Sequence, residues 1–222
     1  YYVVKAVNNG PTESGPSNVA CVIKTSLTYN TDIGNKHWIS IPYINDFTNI
    51  QDIADYINGG PTPGVCTKIS RWNAATQQYE SRTWNDFLLQ WDGDNSSVVT
   101  GEGFEITINA DTTLVFAGAH DPSFGFNLSY NQPPLGNKNW ISIPYNTSYI
   151  LIQEIADSIN GGPTPGVCTK ISRWNATTQQ YESRTWNDFL LQWDGDNSPV
   201  VIGEGFEITI SNNLAGWKPS VK

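Results

Sequence analysis

Residues 58–96 read NGGPTPGVCTKISRWNAATQQYESRTWNDFLLQWDGDNS, and residues 160–198 repeat the stretch with a single change, Ala75 to Thr177. The same offset of 102 residues carries WISIPY from residues 38–43 to 140–145, and GEGFEITI from 101–108 to 203–210. A period this long marks a duplicated domain rather than a solenoid, whose repeats run to roughly 20–50 residues. The chain of 222 residues therefore divides into two modules of about 85 residues, each large enough for its own core. Small duplicated modules more often build binding arrays or assemblies than active sites.

Within the repeat, residues 38–43 are β-rich, alternate in polarity and stop at Pro42, which reads as a strand. Ile50, Ile53, Ala54 and Ile57 fall at i, i+3, i+4 and i+7, one apolar stripe of a short amphipathic helix. Asn58-Gly59-Gly60-Pro61 ends it, because glycine accepts the left-handed cap and proline cannot continue. The second copy carries the stripe as Ile152, Ile155, Ala156 and Ile159. Strands over 65–72 and 78–84 flank a turn at 73–77, and a further strand covers 87–91. A turn at Asp92-Gly93-Asp94-Asn95 follows, Asp-Gly being a strong hairpin signal. Phe104, Ile106 and Ile108 alternate with Glu105 and Thr107, and residues 114–116 close the module.

The order β-α-β-β-β-β predicts an α+β, β-rich fold: two tandem copies of a small, mostly antiparallel sheet module with one short helix, plus an N-terminal β-hairpin. The expected divisions are the hairpin at 1–24, the first module with its lead-in at 25–118, a linker at 119–135 holding Asp121-Pro122 and Pro133-Pro134, and the second module at 136–222. Divergence between the copies is concentrated. Eight positions differ between 44–57 and 146–159, so the start of the helix is where the modules can do different things.

Composition narrows the function classes. Charged residues make up only 15%, and the net charge is −9. The basic residues Lys36, Lys68, Arg71 and Arg82 of the first module are scattered, which argues against a phosphate-backbone partner. No apolar run approaches the roughly 18 residues of a membrane span. Methionine is absent and the chain opens on Tyr1-Tyr2, as expected of a segment from something longer. Cys66 and Cys168 occupy equivalent positions, one per module, so neither module can bridge its own; with Cys21 they read as small buried thiols, a bridge between modules or chains being the alternative.

Four constellations carry chemistry. Asp92, Asp94, Asp194 and Asp196 space their carboxylates like the start of a calcium loop, but the sixth position lacks glycine and the twelfth is Gly103, so a solvated turn is the expectation and no cofactor is required. Trp72 and Tyr79, with Trp174 and Tyr181, offer flat faces for stacking on sugar rings, the competing reading being core filling. Among them Trp72, beside the Asn73 turn, is expected to be exposed. Arg71 and Arg82 are expected to pair with Glu80 or Asp92. His37 and His120 do not recur in the other copy, and no nucleophile, zinc or phosphate-loop motif is present, so an enzyme is not expected.

Residues 1–24, YYVVKAVNNGPTESGPSNVACVIK, resemble the last two strands of a fibronectin type III domain. The five or so preceding strands of such a sandwich are missing, and an isolated hairpin is marginally stable in water. Something must therefore cover Val3, Val4, Val19 and Val22. The repeats, through WISIPY, the I-A-D-x-I helix, the R-W-N…T-Q-x-Y-x-S hairpin and G-E-G-F-E-I, resemble modules of secreted multidomain prokaryotic proteins that often neighbour fibronectin type III domains. That likeness implies an extracellular or cell-surface location and brings no catalytic residues.

Two functions follow as expectations. In the first, the chain is a non-catalytic subunit of a surface fibre or layer. It would join further copies, or neighbouring domains of a longer chain, through Tyr1, Val3, Val4, Val19 and Val22 by strand addition. In the second, the modules are tandem carbohydrate-binding units from a secreted polysaccharide-degrading enzyme, with duplication supplying avidity.

Overall fold

A computed structural model describes residues 20–32, 34–62, 64–119, 123–132, 136–164 and 166–222. The first module runs β1 (Ala20–Leu27), β2 (Lys36–Ser40), α1 (Ile50–Asn58), β3 (Cys66–Asn73), β4 (Gln78–Asn85), β5 (Gln90–Gly93), β6 (Gly103–Ile108) and β7 (Thr112–Ala119). The second runs β8 (Phe126–Leu128), β9 (Lys138–Ser142), α2 (Ile152–Asn160), β10 (Cys168–Asn175), β11 (Gln180–Asn187), β12 (Gln192–Gly195), β13 (Gly205–Ile210) and β14 (Leu214–Trp217). Each module is a five-stranded antiparallel sheet, β2-β6-β3-β4-β5 or β9-β13-β10-β11-β12, with a two-stranded ribbon beside it, β1-β7 or β8-β14. The duplicated, β-rich α+β architecture is the one the repeat predicts.

The alternating pattern decides what each sheet face meets. Ile39, Ile69, Phe104 and Ile106 point to one side and are buried against Ile50, Ile53 and Ala54 of α1; Ile141, Ile171, Phe206 and Ile208 meet Ile152, Ile155 and Ala156 of α2 in the same way. Trp38, Ser70 and Glu105 lie on the opposite face, and they too are buried, although the helix is elsewhere. The second face is therefore covered by something other than its own module.

The two helices begin differently, where the copies diverge. In α1, Asn49 accepts from the backbone of Asp52, while the Asp52 carboxylate accepts from the backbone N–H groups of Thr48 and Asn49 and from the Thr48 hydroxyl, completing a capping box. In α2, Leu151 supplies no side-chain cap. The first N–H groups of α2 donate to Ser198 O and Asn197 Oδ1, Glu154 accepts from Ile150 N at 2.7 Å, and the C-terminal residues bind the lead-in, with Ser220 N donating to Tyr149 Oη and Lys222 N to Asn146 O.

Burial raises the Asp52 pKa, but the hydrogen bonds from Thr48 and Asn49 outweigh it and hold the value below normal. A depressed carboxylate stabilises the fold above its unfolded pKa and stops doing so as pH falls through the folded value. Asp52→Ala is therefore expected to cost about 1 kcal/mol at neutral pH. In urea titrations of both proteins, the gap should close as pH falls below the usual Asp range near ~3.9.

Two expectations are corrected. The strand expected over 87–91 begins only at Gln90: the chain turns at 86–89, before the Asp-Gly pair, because Asn85 Oδ1 accepts from the backbones of Phe87 and Leu88 and Leu89 takes a left-handed φ of 53°. Asp92 and Gly93 consequently end β5 rather than make the turn. The span 119–135 is not merely a linker, since Phe126 and Leu128 of β8 are buried in the second module's core. Of the expected N-terminal hairpin, Ala20 to Lys24 pair with β7 of the first module, and its other strand lies outside the described residues. Tyr1, Val3, Val4 and Val19 lie outside the described residues, and Val22 is 62% exposed.

Candidate functional site

The second face of each sheet packs against the same face of the other module, about a pseudo-twofold axis. At its centre the Trp38 and Trp140 rings lie 4.6 Å apart, tilted by 47°. Each indole N–H donates to a buried glutamate of its own sheet, Trp38 to Glu105 at 3.3 Å and Trp140 to Glu207 at 3.2 Å. Each glutamate is also paired with a lysine, Lys36 at 3.3 Å and Lys138 at 3.1 Å.

Edge strands β2 and β9 would expose unpaired backbone groups, a standing liability for a sheet. The seam satisfies them. Gln77 Nε2 donates to Lys138 O at 2.9 Å while its Oε1 accepts from Lys138 N at 2.8 Å; Gln179 does the same to Lys36, at 2.9 and 2.9 Å. One glutamine side chain thus acts as a short piece of neighbouring strand. Ser40 N donates to Gly203 O, Ser142 N to Gly101 O, Tyr43 Oη to Ser142 O and Tyr145 Oη to Ser40 O.

The four aromatic candidates meet in this seam. Trp72 Nε1 donates to Lys138 O and Trp174 Nε1 to Lys36 O, each at 3.0 Å. Tyr79 packs edge-on against Trp140 at 5.3 Å, and Tyr181 against Trp38 at 5.4 Å. The tyrosine hydroxyls hydrogen-bond each other; burial and then the glutamates below raise the Tyr79 pKa against the opposing effect of its bond with Tyr181, while burial, then Tyr79 and the glutamates, raise that of Tyr181. Trp72 is half-buried rather than exposed, its ring stacked at 6.1 Å on Trp140. The roles of Trp38 and Trp140 were missed in the sequence. The available signal was the alternation of WISIPY, which sends Trp38 to the side opposite Ile39 and Ile41.

Two clefts open where the seam meets the ribbons, and the axis relates them. One, of about 300 Å³, is lined by Trp72, Val99, Glu102, Phe124, Phe126 and Trp140 among others. The other, of about 440 Å³, is lined by Thr25, Thr28, Asn30, His37, Trp174 and Glu204 among others. Trp72, Val99 and Glu102 correspond to Trp174, Val201 and Glu204 by the repeat offset, and Asn139 to His37. The ribbons make them unequal. Leu27 faces Thr112 as Leu128 faces the equivalent Leu214, so Thr25 stands where the first cleft has Phe126.

Glu102 is bound by Arg71, whose Nε reaches it at 2.8 Å and whose Nη2 also contacts it; Arg71 Nη1 pairs with Glu80 at 2.8 Å. Arg173, Glu204 and Glu182 repeat the triad. Burial raises the Glu102 and Glu204 pKa values despite the arginines. Arg82 departs from the expected pairing: it donates to Gln51 and to the carbonyl of Gly93.

The acidic turns are engaged internally. Asp92 accepts from Asn85 at 2.6 Å and Gln90 at 2.7 Å, which lowers its pKa, and Asp194 repeats this with Asn187 and Gln192. Asp94 and Asp196 are exposed beyond the strand ends. Cys66 and Cys168 are free and buried, and burial pushes both thiols up to about 12.

Opposite the seam lies a feature that the strand assignment of 87–91 concealed. The β4–β5 turn presents Phe87, 92% exposed, followed by exposed Leu88 and Leu89; Phe189, Leu190 and Leu191 repeat it at the β11–β12 turn. Three consecutive exposed large apolar side chains are uncommon on a protein surface and mark contact sites. Compared with protein-family models, with curated proteins and with solved structures, the chain matches none.

Proposed function

We propose that the chain is a non-catalytic structural subunit of an extracellular fibre or surface layer, built by association of further copies of itself. The carrying observation is the pair of Phe-Leu-Leu turns, one per module, which gives each chain two identical apolar contacts. A turn cannot fill its own module's cleft. β4 leaves the seam at Tyr79 and runs to Asn85, which sets the turn roughly 20 Å away at the rise of a strand. The apolar cleft of another copy, walled by Trp72, Phe124 and Phe126, offers room for an aromatic side chain. A knob on one surface and an acceptor on a different surface make a heterologous contact, the kind that propagates. Among the described strands β1 pairs with β7 alone, which leaves its other edge as a second place for strand addition. Each cleft holds one glutamate, bound to an arginine, rather than the pair of working carboxylates that glycoside hydrolysis needs.

Sedimentation velocity across a concentration series tests this at neutral pH. The full chain should form species larger than one chain, and Phe87→Ser with Phe189→Ser should sediment as a monomer with unchanged circular dichroism. A full chain that stays monomeric throughout would refute the assembly reading.

A second reading, tandem carbohydrate binding, is favoured by one observation: Trp72 and Trp174 each wall a cleft.

A further inference from the structure

We infer that the two clefts are not equivalent, and that the one walled by Trp174 is the binding site for a neutral saccharide. This rests on the second reading and adds which cleft, and which ligand class.

The argument begins with size. At about 440 Å³ the cleft falls within the range of small-ligand sites, roughly 300–1,000 Å³. The half-buried Trp174 gives it one flat apolar wall, and the indole is immobilised by its bond to Lys36 O. The facing wall comes from β1 and the segment after it, and is polar: Thr25, Ser26 and Thr28 line it, with Thr177 at the rim. A sugar ring has the matching anatomy, an apolar face of C–H groups and an edge of hydroxyls.

Charge selects within that class. The cation in the cleft, Arg173, is spent on Glu204 and Glu182, at 2.9, 2.8 and 3.2 Å. Lys36, near the Trp174 ring at 5.8 Å, is paired with Glu105. His37 is buried, its Nε2 held by Thr28 O at 3.0 Å, and burial lowers its pKa against the opposing effect of that bond and so disfavours the cation. An anionic sugar would find its counter-charges already matched, and a neutral one loses nothing by that.

The other cleft lacks this chemistry. Phe126 replaces Thr25, and Phe124 packs on Phe126 at 5.0 Å and on Tyr43 at 5.0 Å, so its ribbon wall is a sheet of aromatic edges. Beside Trp72 that cleft carries a single hydroxyl, Thr100, and two amides, Asn127 and Asn139, which are already engaged by Gly216 N and by the Ser129 backbone.

Isothermal titration of the full chain with soluble β-1,4-glucan, β-1,4-mannan and α-1,4-glucan oligosaccharides, and with polygalacturonate as an anionic control, tests the assignment. At least one neutral series should bind and polygalacturonate should not. Trp174→Ala should weaken binding by about tenfold or more, as loss of an aromatic anchor does. Trp72→Ala, the same truncation at the equivalent place, should change it less than about twofold. Thr25→Phe keeps Trp174 and copies the other cleft's wall, so it should abolish binding in a chain that still melts cooperatively. Equal losses from Trp72→Ala and Trp174→Ala, binding that survives Thr25→Phe, or preference for polygalacturonate would overturn the inference while leaving carbohydrate binding standing. No binding by any probe would overturn both.

Discussion

Trp38→Ala should lower the stability of the chain by about 3–5 kcal/mol, the usual cost of emptying a buried aromatic site. In a chain of this length that corresponds to roughly 6–20 °C in Tm. Trp38 is 4% exposed and Trp140 5%, and each ring covers the other across the seam. Truncation would also leave Glu105 without the indole N–H that it accepts. Each module keeps its own helix-covered core, so the loss should fall on the contact between modules before it falls on either module. Calorimetry should show one transition for the parent chain and a broadened or split transition for the variant. A single sharp transition at the parent temperature would mean that the seam contributes little.

The second large effect is expected at Arg71→Ala. The arginine side chain is 11% exposed and Glu102 17%, and the two are joined by two hydrogen bonds. Removing one partner of a buried pair costs about 3–5 kcal/mol, because the remaining charge stays out of water; the residual exposure of Glu102 places this case near the lower end. The pH dependence has a definite sign. Burial already holds Glu102 above its normal pKa, and without Arg71 the value rises further. A carboxyl whose folded pKa exceeds its unfolded pKa destabilises the fold once ionised. The deficit of the variant should therefore be full above the folded pKa of Glu102 and shrink as pH falls toward the unfolded value. Glu102→Gln added to Arg71→Ala should recover part of the loss at neutral pH. A deficit independent of pH, with no recovery, would remove the buried charge from the explanation.

How much of this was legible in the sequence depends on how local each cause is. The helix over Ile50–Asn58 was readable because its apolar stripe and its glycine stop both lie within the segment. The strand at Gly103–Ile108 was readable from alternation alone. The turn at 86–89 was misjudged because Asp92-Gly93 is the stronger composition signal, while the deciding interaction is a side-chain bond from Asn85 that leaves no pattern. Strand β8 spans three residues between prolines, too short to show a period, and its burial comes from a partner strand 86 positions on, at Leu214 opposite Leu128. The seam was half legible. Alternation puts Trp38 opposite Ile39, but only the folded duplication reveals that the covering surface is Trp140.

The same limit applies to the clefts. Trp72 and Trp174 stood out as aromatic candidates, and the structure gives each a cleft. Their inequality rests on Thr25 against Phe126, two residues outside the identical part of the repeat, whose equivalence appears only through strand register.

Electron microscopy of the untagged chain at neutral pH, beside the Phe87→Ser/Phe189→Ser variant at matched concentration, bears most directly on assembly through the paired apolar turns. Ordered filaments or arrays from the parent chain and dispersed single particles from the variant are the predicted result. Dispersed particles from the parent chain at every concentration, or equally good arrays from both proteins, would contradict it.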